Sequence, residues 1–249
     1  EYTNSFLEFF PTMEIILNIE ADHLDFFKDI DDIRHSFQKF VKKLPENGIL
    51  IINNEINNYQ EIVGDFSGKL ITTGLQNADI SAQDIHYDHL ANASFTLFDD
   101  GKNLGEIVLS VPGQHNVFNA LGAIAAALEL KIPVEDIKKG LKNFTGASRR
   151  FEKKGELAGG ITIVDDYAHH PQEIEATLKA ARNYPHKKVW CVFQPHTYTR
   201  TKALLPEFAK ALALADRVVL ADIYAARETD TLGISSKDLE KLLLEKGVE

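Results

Sequence analysis

Hydrophobic residues in this chain follow two different spacings. Met13–Ile19 is predominantly apolar, with Ile15, Ile16 and Ile19 β-branched, and reads as a buried strand. Between Ile30 and Leu44 the apolar positions are Ile30, Ile33, Phe37, Phe40, Val41 and Leu44, the spacing of a helix with one buried face. Asp29, Asp31 and Asp32 stand at its start, where negative charge favours a helix N-terminus. Ile49–Ile52 predicts a second short buried strand, Asn57–Val63 a short helix and Lys69–Thr73 a third strand.

From Ile85 to Val111 the period changes. Ser94–Phe98 and Glu106–Val111 alternate around the turn Asp99-Asp100-Gly101-Lys102-Asn103, a hairpin signal, so a small antiparallel sheet is expected beside a parallel one. Helices follow at Asn116–Leu130, rich in Ala and Gly, and at Val134–Phe144. Thr145–Arg150 lacks periodicity and contains Gly146 and Ser148, which marks a linker. Beyond it strands and helices alternate cleanly: Ile161–Val164 then Gln172–Asn183, Val189–Phe193 then Lys202–Leu214, Arg217–Ala221 then Ser236–Lys246. Such alternation implies parallel βαβ units. The expected fold class is α/β, with parallel sheets in two domains.

Composition narrows the function. The 249 residues suffice for two ordinary domains, and 44% hydrophobic with 26% charged residues is a globular balance. A formal charge of -10 argues against a broad nucleic-acid surface but leaves room for small anions held by local cations and backbone N–H groups. No run approaches the length of a membrane span. The single cysteine, Cys191, lies in an apolar run, reads as a buried inert thiol and fits a reducing cytoplasm.

Candidate chemistry gathers at element ends. Asp165–Pro171, DDYAHHP, places two carboxylates, a phenol and two imidazoles where a strand gives way to a helix, the edge at which parallel α/β sheets bind ligands. Asn18–Asp25, NIEADHLD, offers Glu20, Asp22, His23 and Asp25, either a divalent-metal site or a loop of solvated acids. In Pro112–Ala120, PGQHNVFNA, Asn116 and Asn119 share one helix face and suit a heterocycle edge such as adenine. A helix-capping role is equally compatible with them. Gly146–Phe151, GASRRF, supplies Arg149 and Arg150 for a phosphate, or simply a solvated basic pair. Phe193–Thr201, FQPHTYTRT, puts His196 and Arg200 at a strand end, Arg200 as a carboxylate or phosphate clamp, although Thr199 and Thr201 also suit a helix start. His35, His86, His89 and His186 read as surface or packing residues, and Trp190 as core. No G-x-G-x-x-G follows any strand, which disfavours a dinucleotide dehydrogenase.

Together these motifs resemble those of the Mur ligases of bacterial cell-wall synthesis, in the same order and nearly end to end. DDYAHHP and FQPH are the most specific. They resemble the branch that adds L-alanine to UDP-N-acetylmuramate more than the branches that add later residues or recycle whole tripeptides. The resemblance implies ATP-dependent amide formation through an acyl phosphate, with ATP and Mg²⁺ or Mn²⁺ as cofactors and peptidoglycan precursor synthesis in the cytoplasm as the setting. It implies His23 as a metal ligand. It implies Asn116 and Asn119, with His115 beside them, at adenine, Arg150 at the ATP phosphates and Asp166 at the ribose. Tyr167, His169, His196 and Arg200 would face the muramyl substrate. Domain boundaries follow: 1–148 as the family's central, ATP-binding domain and 149–249 as its Rossmann-like C-terminal domain. Many members carry Arg where this chain has Thr197. No GxxxxGK[ST] phosphate loop occurs in these residues. The resemblance places that loop before Glu1 and further C-terminal residues after Glu249, so this stretch is expected to be inactive alone. The reading from another class is a non-catalytic nucleotide-binding module.

Overall fold

A computed structural model describes residues 2–22, 26–230 and 232–248, so the expected metal ligand His23 lies outside the described residues. Two compact units result, residues 1–88 with 92–145 and residues 89–91 with 146–249.

The first unit is built on one six-stranded sheet in the order β1 (Met13–Ile16), β2 (Ile49–Asn53), β3 (Lys69–Gly74), β4 (Ile80–Tyr87), β5 (Asn92–Asp99) and β6 (Lys102–Pro112). Strands β1 to β4 are parallel, and β5 and β6 continue antiparallel. The hairpin therefore joins the parallel strands in one continuous sheet. Its turn uses Asp100 and Gly101, both at positive φ, as a two-residue hairpin turn requires. Leu50, Ile51 and Ile52 are all fully buried, because β2 is covered on both faces. Leu50 and Ile52 pack with Ile16, Val41 and Leu44 beneath helix α1 (Ile30–Val41) and the short α2 (Tyr59–Val63). Ile51 faces the other way, onto Val117, Leu121 and Ile124 of α3 (Gln114–Glu129), with α4 (Val134–Asn143) completing that layer. Asp29 caps α1 by accepting the Asp32 N–H at 3.0 Å. A Cβ on Gly122 would sit 2.8 Å from Leu17, so glycine is what lets α3 lie this close to β1.

In the second unit, β7 (Glu152–Leu157) pairs antiparallel with β8 (Ile161–Asp165), and β9 (Trp190–Phe193) pairs parallel with β10 (Arg217–Leu220). Helices α5 (Pro171–Asn183), α7 (Leu205–Leu212) and α8 (Ser236–Glu245) bury Ile174, Leu178, Phe208, Leu212, Leu239 and Leu243 against Phe193. Arg182 at the end of α5 forks onto Asp216 at 3.1 and 3.2 Å and so ties α5 to the start of β10.

Several expectations shift. β1 ends at Ile16, and the Leu17 carbonyl accepts from Asn53 Nδ2 at 3.0 Å in place of a ladder bond. β4 escaped the pattern because a bulge at Asp84 (φ 52°) breaks its alternation. β7 escaped it because EKKGEL has almost no apolar residues. The expected helix from Lys202 to Leu214 is two helices, α6 (Tyr198–Ala203) and α7, since Pro206 cannot donate to the carbonyl four residues back. β8 is not the buried strand its composition suggested: Ile161 and Ile163 are 58% and 42% exposed, because β8 pairs only with β7. Trp190 is not core either but 63% exposed. Helices α5, α7 and α8 pack on the Phe193 side of β9, so Trp190 and Val192 point away from them.

Glu14 is an oddity of β1. It is 2% exposed, and neither carboxylate oxygen has a hydrogen-bond partner among the described residues. Burial pushes its pKa up to about 8, so it is mostly protonated at neutral pH. A raised folded-state pKa means that stability is fully present below the ordinary carboxylate pKa and is lost as pH rises toward 8. Urea unfolding should therefore show wild-type stability falling between pH 5 and pH 8 relative to Glu14→Gln. Parallel pH profiles would show that Glu14 is not held protonated.

Candidate functional site

In the second unit, the loop from β8 to α5 and the turn that precedes β7 are locked together by Asp166. Its Oδ2 accepts the Phe151 N–H at 2.9 Å and the Thr177 hydroxyl at 3.0 Å, and its Oδ1 accepts the Ala168 N–H at 2.9 Å. The turn is sharp because Arg149 and Phe151 both take positive φ, 58° and 48°. The Arg149 carbonyl accepts the Tyr167 N–H at 2.8 Å, and the Arg149 N–H donates to Glu152 at 2.7 Å. The Lys154 ammonium, with that amide, holds the Glu152 carboxyl down at about 2.

The same loop delivers its imidazoles by way of Glu173, which accepts the N–H groups of His169 (2.9 Å) and His170 (3.1 Å). This is a capping box, with His170 as the cap of α5 and Pro171 at the first turn. His169 Nδ1 lies 3.0 Å from the Tyr167 carbonyl. A carbonyl only accepts, so in the neutral ring Nδ1 carries the proton and Nε2 keeps a lone pair. At the end of β9, His196 Nδ1 lies 3.4 Å from Arg200 Nη1. Arginine only donates, so in neutral His196 the proton sits on Nε2. Burial, Arg200 and His169 lower the His196 pKa, against an opposing pull from Glu228, and so favour the neutral ring.

These groups form a continuous ribbon. The Arg149 guanidinium stacks 4.6 Å over the Tyr167 ring, Tyr167 meets His169 at 5.3 Å, His169 meets His196 at 6.1 Å, and His196 meets Tyr224 at 5.5 Å and Arg200 at its other side. Tyr167 is 49% exposed, so the ribbon faces solvent. Two cations flank two imidazoles whose neutral tautomers are opposite, one accepting and one donating through Nε2. Such a surface can neutralise an anion and accept or give a proton beside it. Arg150 stands slightly apart, in a 3.7 Å ion pair with Glu173, and is exposed enough to swing to another anion.

In the first unit, β6 runs in the same direction as β1, since both β5 junctions are antiparallel. Pro112 at its carboxyl end and the start of α3 therefore open on the same sheet edge as Asn18–Asp22. Asn119 Nδ2 donates to Asn116 Oδ1 at 3.1 Å, and Asn116 Nδ2 donates to the Pro112 carbonyl at 2.8 Å. This leaves Asn119 Oδ1 and its second N–H as an acceptor and donor side by side. His115 is exposed one residue earlier. Among the described residues no three His, Cys, Asp or Glu side chains are placed to hold a metal. Cys191 is partly buried, and desolvation raises its pKa to about 11, consistent with an inert thiol.

Three residues in this arrangement were not foreseen. Glu173 had a legible signal, the H-x-x-E spacing of a capping box. Tyr224 and Glu228 had none, because they reach the FQPHTYTRT turn from about 30 positions away.

Two family models match the chain. Residues 4–127 match the Mur ligase middle domain, and residues 149–248 match the Mur ligase glutamate ligase domain. The chain belongs to the Mur ligase family. Within it, the chain is 59% identical, over its whole length, to a UDP-N-acetylmuramate–L-alanine ligase of Lachnospira eligens, of which it covers 54%. It is 57% identical to the ligase of the same name from Agathobacter rectalis, again covering 54% of that protein. A crystal structure of UDP-N-acetylmuramate-alanine ligase from Thermotoga maritima superposes with a TM-score of 0.77 at 29% identity, over 99% of this chain and 52% of that one. The chain thus spans about half the length of the relatives it matches.

Replacing Asp166 by Ala leaves three donors without their acceptor. Bonds to a charged group are each worth about 1.5–3 kcal/mol, so Asp166→Ala should cost the second unit at least about 2 kcal/mol. The lone tryptophan, Trp190, lies in this unit, so urea unfolding followed by its fluorescence reads that loss. An unchanged midpoint would mean that Asp166 is not the joint described.

Proposed function

We propose that the whole protein is the ATP-dependent ligase that joins L-alanine to the carboxylate of UDP-N-acetylmuramate in cytoplasmic peptidoglycan precursor synthesis. The ribbon from Arg149 to Arg200 carries the reading. Amide formation from a carboxylate needs two converging anions neutralised, and a proton removed from the incoming ammonium. Arg200 clamps the muramyl carboxylate, with His196 beside it. His169 Nε2, with its lone pair fixed by the Nδ1–H bond to Tyr167, takes the amine proton. Tyr167 and Arg149 form the wall next to it.

ATP is consumed in this reaction and supplies the phosphoryl group that activates the carboxylate. The free acceptor and donor of Asn119, backed by Asn116 and near His115, suit the adenine edge. Asp166 Oδ1 accepts one bond and keeps room for a ribose hydroxyl, and Arg150 can swing to the phosphates. The metal, Mg²⁺ or Mn²⁺, finds no complete donor group among the described residues, so no step is assigned to it. The domain reading stands alongside: 1–148 as the ATP-binding domain and 149–249 as the Rossmann-like one.

Phosphate release by the full-length enzyme with ATP, Mg²⁺ and UDP-N-acetylmuramate tests this, with L-alanine compared against glycine, L-serine and a tripeptide. L-Alanine should give the highest kcat/KM, and His169→Ala should lower turnover about 10²-fold or more. The isolated chain, lacking a phosphate loop, should release none above background. Preference for the tripeptide would point to a recycling ligase, and wild-type rates in His169→Ala would remove that imidazole from the site.

A further inference from the structure

His196 and Arg200 sit on a turn that is strained. Thr197, between them, has φ 67° and ψ 145°, a region in which a β-branched side chain is costly and glycine is at home. Such a conformation persists only when its surroundings fix it from several sides. Here the Thr197 N–H donates to the Tyr224 carbonyl at 2.9 Å, the Tyr224 N–H donates to the Pro195 carbonyl at 2.8 Å, and the Thr201 hydroxyl donates to the Thr197 carbonyl at 2.6 Å.

The remaining restraint comes from Glu228. Its carboxylate accepts the Tyr198 N–H at 2.6 Å, the Thr199 N–H at 3.0 Å and the Thr199 hydroxyl. These are the first donors after the strained residue, and all three end on one side chain from a separate segment. The turn already has its own helix cap, since Thr197 Oγ1 accepts the Arg200 N–H at 3.4 Å. Glu228 is therefore more than a substitute cap. It anchors the two residues that separate Thr197 from Arg200, while the Tyr224 backbone anchors the residues on the other side. Burial would raise its pKa, but the bonds from Thr199 and Tyr198 and the Arg200 charge outweigh that and hold the carboxyl ionised.

We propose that Glu228 is a positioning residue of the ligase site, which acts through the Thr197–Arg200 turn to hold Arg200 and His196 in their arrangement for the muramyl substrate. This rests on the ligase reading above. It assigns to Glu228, in the segment after β10, a role in substrate binding exerted through the Thr197–Arg200 turn.

The test uses the full-length enzyme with Glu228→Gln, which keeps the shape and loses the charge, and Glu228→Ala. Initial rates are measured against UDP-N-acetylmuramate and ATP separately. In Glu228→Gln, KM for UDP-N-acetylmuramate should rise at least fivefold, with KM for ATP within twofold of wild type. Glu228→Ala should exceed that rise. Amide hydrogen exchange at Tyr198 and Thr199 should speed up at least tenfold in both. A mere loss of folded molecules would lower kcat and leave both KM values alone, and that result overturns the proposal. So do unchanged kinetics, or both KM values rising together. If Glu228→Ala does not fold, Glu228→Gln decides by the same criteria. A wild-type enzyme that releases no alanine-dependent phosphate would instead sink the ligase reading itself.

Discussion

The second unit's working surface hangs on one carboxylate. Asp166 gathers an amide from the turn before β7, an amide from its own loop and a hydroxyl from α5. It works beside the Tyr167 N–H bond to the Arg149 carbonyl and the Glu173 carboxylate to set Arg149 over Tyr167 and the loop from which His169 projects. A carboxylate suits the task because it accepts from several directions at once and because its bonds to N–H groups are charge-assisted. The same logic recurs at Glu173, which gathers the His169 and His170 amides, and at Glu228, which gathers those of Tyr198 and Thr199. Three acids therefore organise three short backbone segments, and the cations and imidazoles are carried by what those segments present.

That division of labour fits the chemistry of the proposed reaction. Groups that touch anions must be cationic or neutral, so the acids are turned inward onto backbone N–H groups. In their neutral forms the two histidines take opposite tautomers, set by a carbonyl in one case and a guanidinium in the other. The first unit contributes differently. Its strand β2 is covered on both faces by apolar packing, and its candidate ligand groups, Asn116 and Asn119, are already bonded to each other and to Pro112 before anything binds. Such preorganisation lowers the ordering cost of holding a flat heterocycle.

Much of this was legible in the residues. The β2 run Ile49–Ile52, the helix from Ile30 and the Asp100-Gly101 hairpin follow from spacing and turn chemistry alone. The DDYAHHP and FQPHTYTRT motifs located the ribbon. What could not be read were features that depend on partners distant in sequence. β7 is stabilised by pairing with β8 rather than by apolar content. Trp190 points away from α5, α7 and α8 because they pack on the other face of β9. Glu228 has no local pattern that ties it to Thr199. The charge-rich NIEADHLD segment gave a metal expectation, and its histidine, His23, falls outside the described residues.

The central claim is that Arg149, Tyr167, His169, His196 and Arg200 act as one surface. A double-mutant cycle between His169→Ala and Arg200→Ala in the full-length enzyme, read as kcat/KM for UDP-N-acetylmuramate, tests it most directly. Residues that act as a unit are non-additive, so the double variant should be better than the product of the two single losses by at least tenfold, about 1.4 kcal/mol of coupling. Losses that simply multiply would mean that the two residues work independently and that the ribbon is only an arrangement of neighbours.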